Sequence, residues 1–363
     1  MAQVCTLDQK GKYKDFIHRR NIPQTALNLL QKRWAKLRCS ANGDKKNSNF
    51  EGRGIKLYNV KRWVDFFTVE EIETTWESDT ELKNALTRIL DEKEEGSCMT
   101  GEPQDFRCII SDESSLEAVC PSLQDQVNVA LLVCAKAKTG TEDPLRVVLD
   151  KGGKARWISP NSALQPGGGK LKKPDFAGFE FNPSDKYRDP KTIFNRIPGD
   201  AKISRKFCHE MLPPDGKRYQ RNLKNAEVQK VLNQIHFYMD MHEARYGYVI
   251  TDQELICFRR RDEGWGELDV GPPIRHYVDV DRKTNSLNSK YVLFHLHHVI
   301  ANDRSQWHLR SFGRETGKKS LANLARTEVM RGLNRGFTKG CYWPDKKRVE
   351  TKVAKLVRHE QVE

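Results

Sequence analysis

The chain has 363 residues, a hydrophobic content of 37% and a charged content of 31%. This length suits two domains or one domain with extensions, and the seven tryptophans argue against a disordered chain. The nine cysteines lack CxxC spacing, so the sequence indicates neither a disulfide framework nor a zinc site. No apolar run approaches the roughly 20 residues that span a bilayer, and the N-terminus lacks the apolar core of a signal peptide. We therefore expect an intracellular protein, cytoplasmic or nuclear, that does not insert into a membrane.

The formal net charge is +14 and the isoelectric point is near 9.3. Such an excess of positive charge attracts polyanions, of which nucleic acid is the common intracellular one. The alternative is that the charge only keeps the protein soluble. The charge therefore makes nucleic acid a candidate partner without identifying it.

Residues 1–98 are predicted to form a helical region of unassigned role. Pro23 and Thr25 suit the start of a helix. An apolar stripe at helical spacing follows at Leu27, Leu30, Trp34 and Leu37. The rest of that helix is basic and suits either phosphate contacts or a solvated face, at Lys32, Arg33, Lys36 and Arg38. A second stripe lies in the acidic stretch that comes next, at Ile72, Trp76, Leu82, Leu86, Ile89 and Leu90.

A further helix is predicted to start at residues 111–114, whose Ser-Asp-Glu-Ser sequence is typical of an N-terminal cap. Its core-facing stripe is Leu116, Val119, Cys120, Leu123, Val127, Ala130, Leu131 and Cys134. A strand at 146–149 and a turn at 151–154 follow. The glycine run at 167–169 resembles a phosphate-binding loop only superficially, because a strand rather than a helix comes after it. We expect a flexible basic loop there.

Two short apolar strands carry charged residues. Residues 174–179 form the first strand, with Asp175 in second place, and residues 197–204 form the second, with Asp200 and Lys202. Because side chains two apart in a strand project to the same face, Asp200 and Lys202 should lie together. Two carboxylates and an ammonium on neighbouring strands are the minimum for Mg²⁺-assisted cleavage of a phosphodiester. The alternative is a surface cross-strand charge pair of little energetic value.

The elements after these strands are predicted from their periodicity. A helix at about 225–244 has a buried stripe of Val228, Val231, Leu232, Ile235 and Met239. Gln234 and Tyr238 are four residues apart and therefore share a face beside that stripe. Residues 246–258 predict a β-hairpin, residues 265–270 another edge strand and residues 291–300 a helix.

Other polar clusters carry weaker signals. Three histidines in the 291–300 run and the pair Cys208-His209 have no partner at metal-ligand spacing, so we interpret them as structural. The segment 301–363 mixes basic residues with helix-like stripes at Leu321, Leu324, Val329 and Leu333. Its Lys346-Lys347-Arg348 run suits a nuclear address or a phosphate contact.

Three motifs occur in order: Pro174-Asp175, Asp200-Ala201-Lys202 and Gln234-Ile-His-Phe-Tyr238. Together they resemble the PD-(D/E)XK nuclease superfamily, including its frequent helical Q-x-x-x-Y addition. The stretch from residue 197 through the hairpin is similar to nuclease-like domains of filamentous-fungal proteins of the spore-killer type. The resemblance covers roughly the middle half of the chain.

The resemblance implies a fold class and a division of the chain. The expected fold is an α/β restriction-endonuclease-like core, in which helices flank a mixed central sheet. This core would occupy residues 99–300, with the helical N-terminal region at 1–98 before it and a basic C-terminal extension at 301–363 after it.

The resemblance also implies a metal site. Asp175 and Asp200, with the backbone carbonyl of Ala201, would bind Mg²⁺ or Mn²⁺, and Lys202 would position the attacking water. The first core helix is expected to supply a further carboxylate. The Glu-Ala context favours Glu117, although position alone does not select it over Glu113.

Gln234 and Tyr238 would orient the substrate backbone or the attacking water, and this role is favoured over the alternative that they only flank the core. The substrate would be nucleic acid, DNA more than RNA, and the cut would leave a 5′-phosphate. Nucleases that cut both strands often dimerise, so a homodimer is compatible with this assignment. The basic residues expected to contact the substrate backbone are Lys172, Lys173, Arg205, Lys206 and Arg259.

Many domains of this superfamily have lost cleavage and serve as binding modules. The alternative function is therefore an inactive nuclease-like module that binds nucleic acid or a protein partner, such as a component of an effector or killer element. A purely structural helical scaffold would leave the order of the motifs unexplained.

Overall fold

The computed structural model of the protein describes residues 25–31, 34, 37–39, 57, 59–91, 109–142, 144–159, 173–183, 189–212, 226–261, 266–276 and 287–311. Several predictions fall outside these residues. They are the side chains of Lys32, Arg33 and Lys36, the glycine run with Lys172, and the stripe and basic run beyond residue 311.

The described residues form ten strands. They are β1 (Arg38–Cys39), β2 (Asn59–Arg62), β3 (Ile109–Ile110), β4 (Arg146–Lys151), β5 (Phe176–Phe181), β6 (Gly199–Ala201), β7 (Tyr246–Ile250), β8 (Glu254–Arg260), β9 (Glu267–Val270) and β10 (Ile274–Arg275).

The described helices are α1 (Ala26–Gln31), α2 (Val69–Ser78), α3 (Thr80–Thr87), α4 (Glu113–Thr139), α5 (Ala226–Met241), α6 (Ser289–His295) and α7 (Arg304–Trp307). A π-helical segment, Leu296–Ile300, continues α6. Short 3-10 turns lie at Gly152–Lys154, Pro190–Thr192 and His209–Met211.

Eight of these strands form one mixed sheet. Its order is β2-β9-β8-β7-β6-β5-β4, and β10 pairs with β8 beside this path. The pairs β6–β7 and β2–β9 are parallel, and the other pairs are antiparallel. Strands β1 and β3 form a separate parallel pair. The mixed α/β class with flanking helices is therefore confirmed.

Helix α4 begins and ends with capping interactions. The Asp112 carboxylate accepts from the backbone N–H of Ser115 at 2.7 Å, and the Ser115 hydroxyl accepts from the N–H of Asp112 at 3.0 Å. Gly140 ends the helix in the left-handed conformation at φ 66°, which a glycine adopts without steric cost. The predicted start and the buried stripe of this helix are confirmed, with Val119 half-buried.

Helix α4 is also long and apolar enough, by length and composition, to span a membrane. It is the one such helix in the described ranges, and more than half of its most apolar window is buried inside the fold. A core helix of a folded domain meets the same criterion, so this feature is weak evidence for a membrane span.

The two faces of the sheet pack against different helices. On β7, Tyr248 and Ile250 join the cluster that contains α4 and α6, whereas Val249 joins the cluster built on α5. This division follows from the alternation of side chains along a strand. The predicted stripe of α5 is buried throughout, and the predicted hairpin is the pair β7–β8.

Five predictions about the fold need correction or extension. Strand β2, within the region predicted to be helical, pairs with β9 in the main sheet, so β9 lies between two strands and is not an edge strand. Ile89, assigned to an apolar stripe, has 63% of its surface exposed. Strand β5 begins one residue after Asp175, and the strand predicted at 197–204 contracts to Gly199–Ala201. The domain boundaries at residues 98 and 300 stay predictions.

Gly152 permits a close approach of two chain segments beside the candidate site. A Cβ atom on Gly152 would lie 1.8 Å from the carbonyl oxygen of Pro174, whereas the nearest atom to a Cβ on Gly153 is 4.0 Å away. We expect Gly152→Ala to lower the free energy of unfolding by about 1–3 kcal/mol or more, because the backbone at Gly152 or Pro174 must move to make room. Gly153→Ala is the matched control and should stay within about 0.5 kcal/mol of wild type. Urea denaturation measures both, and equal effects would contradict the assigned contact.

Burial lowers the pKa of seven described histidines: His236 and His242 to about 3, His276, His295, His297 and His298 to about 4, and that of His209 also. The first six side chains stay neutral in the folded protein at pH 5, where an unfolded histidine is charged. Unfolding therefore takes up protons below pH 6.5. Burial raises the pKa of four carboxyls, which opposes this uptake, at Glu117, Asp175, Asp200 and Glu254.

The histidines outnumber the carboxyls, so we expect the free energy of unfolding to fall as the pH falls from 7 to 5. Each histidine contributes about 1.4 kcal/mol per pH unit once its unfolded form is charged. Urea denaturation at a series of pH values, with EDTA present, measures the slope. A stability that is equal at pH 7 and pH 5 would refute the assignment.

Candidate active site

The charged motif residues meet at the ends of strands β5 and β6. Asp175 stands directly before β5, and its Oδ2 accepts from the backbone N–H of Ala201 at 2.8 Å. Lys202 follows β6 and extends the ladder, since its backbone N–H donates to the carbonyl of Ile250 at 2.9 Å. The two predicted strands therefore bring Asp175, Asp200 and Lys202 together.

Asp200 and Lys202 form a buried ion pair. The Lys202 ammonium contacts Oδ2 of Asp200 and donates to the carbonyl of Ala201 at 2.9 Å. Asp200 is 1% exposed and Lys202 is 3% exposed. This confirms that the two side chains project together, and it excludes the alternative of a surface charge pair.

Burial and charge set the protonation of this group. Burial raises the pKa of Asp200 to about 8, against the effect of the Lys202 ammonium, and burial also raises the pKa of Asp175. Burial alone would lower the pKa of Lys202, but the charges of Asp200 and Glu113 outweigh it and raise that pKa. Lys202 is therefore charged near neutral pH, while the two aspartates hold on to protons more strongly than exposed carboxyls do.

Helix α5 contributes Gln234 and Tyr238 to the site. The Nε2 group of Gln234 donates to Oδ1 of Asp200 at 3.3 Å and to the hydroxyl of Tyr238 at 3.0 Å. The Oε1 atom of Gln234 is buried and has no hydrogen-bond partner among the described residues. Burial raises the pKa of Tyr238, so this phenol keeps its proton. The structure thus places both residues of the helical motif at the carboxylates, and Gln234 contacts Asp200 directly.

Helix α4 supplies two acidic residues near Lys202. Glu113 reaches the Lys202 ammonium at 3.8 Å and the Lys206 ammonium at 3.1 Å. Glu117, one turn later, is more exposed, and burial together with the charge of Asp200 raises its pKa. Sequence reasoning favoured Glu117 and left Glu113 open. The contact with Lys202 that the structure shows belongs to Glu113.

The donor chemistry of the site suits a hard divalent cation. Asp175, Asp200 and the Ala201 carbonyl offer oxygen ligands of the kind that Mg²⁺ prefers. The unsatisfied Oε1 of buried Gln234 is an acceptor that a water on such a cation would satisfy. However, no group of three or more His, Cys, Asp or Glu in the described ranges is arranged to hold a metal ion, and Lys202 provides the positive charge beside Asp200.

The residues predicted to contact a nucleic-acid backbone have different environments. Lys173 and Arg205 are exposed, and Lys206 is half-buried beside Glu113. The Arg259 guanidinium instead bonds Asp65 at 2.7 and 2.8 Å and also bonds buried Asp269. Its donors are therefore engaged within the fold, and we do not assign Arg259 to the substrate.

Sequence reasoning missed one polar link at the end of this site. Both oxygens of buried Asp252 accept from Ser204, one from its backbone N–H at 2.6 Å and one from its hydroxyl at 2.8 Å. This link fixes the turn that follows Lys202. The residues are far apart in the sequence, and no local pattern connects them.

Comparison with protein-family models, with curated proteins and with solved structures finds no match to the chain. The site geometry and the chemistry of its residues therefore carry the functional argument.

The buried pair predicts a strong energetic coupling between its partners. We expect Lys202→Met to lower the free energy of unfolding by about 3 kcal/mol in EDTA at pH 8.5, because it leaves Asp200 buried without its partner. Adding Asp200→Asn should restore much of the loss. The control Lys206→Met breaks a more exposed pair and should cost less than about 1 kcal/mol.

Urea denaturation of the two single variants and the double variant gives this coupling energy. Additive losses from Lys202→Met and Asp200→Asn would show that the two side chains act independently, against the observed contact.

Proposed function

We propose that the protein is a metal-dependent nuclease of the PD-(D/E)XK type, which hydrolyses phosphodiester bonds in nucleic acid. The observation that carries the proposal is that Asp175, Asp200 and Lys202 lie together, with Asp200 and Lys202 buried and Gln234 in contact with Asp200. The motif resemblance favours DNA over RNA as the substrate. Buried charges of both signs at a strand end are costly, which supports a functional reason for their presence.

The two aspartates would hold Mg²⁺ or Mn²⁺, with the Ala201 carbonyl as a further oxygen ligand. A divalent cation there would neutralise phosphate charge and lower the pKa of a bound water. The resemblance assigns Glu117 to the same ligand set. The negative charge of Asp200 helps to raise the pKa of Glu117, which is consistent with that assignment.

The chain's own residues supply the other requirements of phosphodiester cleavage. Lys202 carries a charge that would stabilise the anionic transition state, and its contact with Asp200 fixes where that charge lies. Gln234, held between Asp200 and Tyr238, presents a free carbonyl oxygen that would orient an attacking water. Lys173, Arg205 and Lys206 would contact the substrate backbone, as would Lys172 outside the described residues.

A binding module without cleavage is the second candidate function. Two observations favour it: the Lys202 ammonium contacts Asp200 where a cation would bind, and the described ranges contain no group of three His, Cys, Asp or Glu residues placed to hold a metal ion. In this case the basic chain would bind nucleic acid or a protein partner, and the ion pair would serve only the fold.

Cleavage assays separate the two functions. Wild type should cut plasmid, linear duplex, single-stranded DNA or RNA in Mg²⁺ or Mn²⁺ and not in EDTA. Lys202→Ala and Asp200→Ala should each reduce the rate by at least about 100-fold, because electrostatic stabilisation is lost. Isothermal titration with Mn²⁺ should show binding to wild type and none to Asp200→Ala.

The matched control is Lys230→Ala, which removes a lysine from the surface pair with Glu227. It should leave cleavage and Mn²⁺ binding unchanged. Nucleic-acid binding without cleavage in either metal would support the module instead, and equal cleavage by wild type and Lys202→Ala would point to a contaminating nuclease.

A further inference from the structure

Five exposed cationic side chains lie around one end of strands β4 and β5: Lys151, Lys154, Arg156, Lys173 and Lys191. We name this group the basic rim. None of its side chains makes an ion pair with an acidic residue in the part of the chain that the structure describes. Only Lys173 was expected at a nucleic-acid surface from the sequence.

Backbone hydrogen bonds hold the segments of the basic rim together. Lys151 ends β4 opposite Phe176, and the N–H of the next residue, Gly152, donates to the carbonyl of Asp175 at 2.8 Å. The N–H of Arg156 donates to the carbonyl of Pro190 at 2.8 Å, which brings Lys191 beside this turn. The charges are therefore carried by a fixed backbone that is tied directly to Asp175.

Two carboxylates lie within the basic rim, and both are engaged by backbone. Asp150 accepts from the N–H of Lys151 at 2.6 Å, and Asp189 accepts from the N–H of Lys191 at 3.0 Å. The five ammonium and guanidinium groups outnumber them. An excess of positive charge remains on this surface for an anionic partner.

We propose that the basic rim binds the phosphate backbone of a nucleic acid and leads it to Asp175 and Asp200. The existence of an anion-binding surface rests on its own charges, whereas the choice of nucleic acid as the partner, and the fate of the bound strand, rest on the proposed nuclease function. Its direct tie to Asp175 favours nucleic acid over an acidic protein, because a substrate of this site must place phosphates there. Each lysine or arginine that contacts a phosphate displaces a counterion, so the binding depends on salt.

The test is a fourfold neutralisation of the basic rim, Lys151→Gln, Lys154→Gln, Arg156→Gln and Lys191→Gln. The charge-matched control neutralises four exposed cations elsewhere in the fold, Lys83→Gln, Lys138→Gln, Arg304→Gln and Arg310→Gln. Fluorescence anisotropy of a labelled duplex and of a labelled single strand, in EDTA to prevent cutting, gives Kd over a series of salt concentrations. Circular dichroism checks that both proteins remain folded.

We expect the rim variant to bind at least about tenfold more weakly at 0.1 M salt. The slope of log Kd against log salt concentration should fall by about 0.9 for each phosphate contact removed. The control should change Kd less than the rim variant does. Equal losses in the two variants would overturn the proposal, as would failure of wild type to bind either probe. Equally tight binding of wild type to poly-glutamate, with the same loss in the rim variant, would show a general polyanion surface and also overturn it.

The cleavage assay keeps this result separate from the proposed function. Weaker binding by the rim variant, with no cleavage by wild type in Mg²⁺ or Mn²⁺, would support the basic rim and reject the nuclease. Cleavage by wild type, with binding unchanged in the rim variant, would support the nuclease and reject the basic rim.

Discussion

The buried ion pair between Asp200 and Lys202 is the constraint that the rest of the site satisfies. Two charges taken out of water cost several kcal/mol each unless their remaining hydrogen-bonding capacity is met. Gln234 donates to the other oxygen of Asp200, and the Ala201 carbonyl accepts from Lys202. Glu113 lies at 3.8 Å from the same ammonium. Three elements of the fold, α4, β6 and α5, are therefore joined through one pair of charges.

The alternation of side chains along β6 explains how this strand serves the site and the core together. Asp200 is paired in register with Val249 and faces α5, whereas its neighbours Gly199 and Ala201 face the other layer. Position 199 has no room for a side chain, because a Cβ there would lie 2.3 Å from the ring of Tyr248. Packing on one face thus fixes the strand whose other face carries the carboxylate.

Local patterns predict the elements of the site well. Periodicity locates α4, α5 and the β7–β8 hairpin, and the two-residue spacing of Asp200 and Lys202 predicts their contact. What fails depends on contacts between distant segments. The sequence alone leaves Arg259 available to a substrate, but the structure shows it bound by Asp65, 194 residues away.

The choice between the two acidic residues on α4 is open in the sequence for a related reason. Glu113 and Glu117 are one turn apart and share a helix face, so helical periodicity cannot separate them. The structure separates them, because Glu113 contacts both Lys202 and Lys206, the latter in the turn that follows Lys202. Strand β2 was missed in the same way, since its partner β9 lies more than two hundred residues later in the chain.

The charges around the ion pair do not balance. Four carboxyls, Glu113, Glu117, Asp175 and Asp200, surround the two ammonium groups of Lys202 and Lys206. With every group ionised, this cluster has a net charge of two minus, and burial raises the pKa of three of its carboxyls, Glu117, Asp175 and Asp200. Under the proposed function, a single divalent cation would make up the deficit. The Lys202 ammonium would then move from Asp200 toward Glu113, which already lies within 3.8 Å of it.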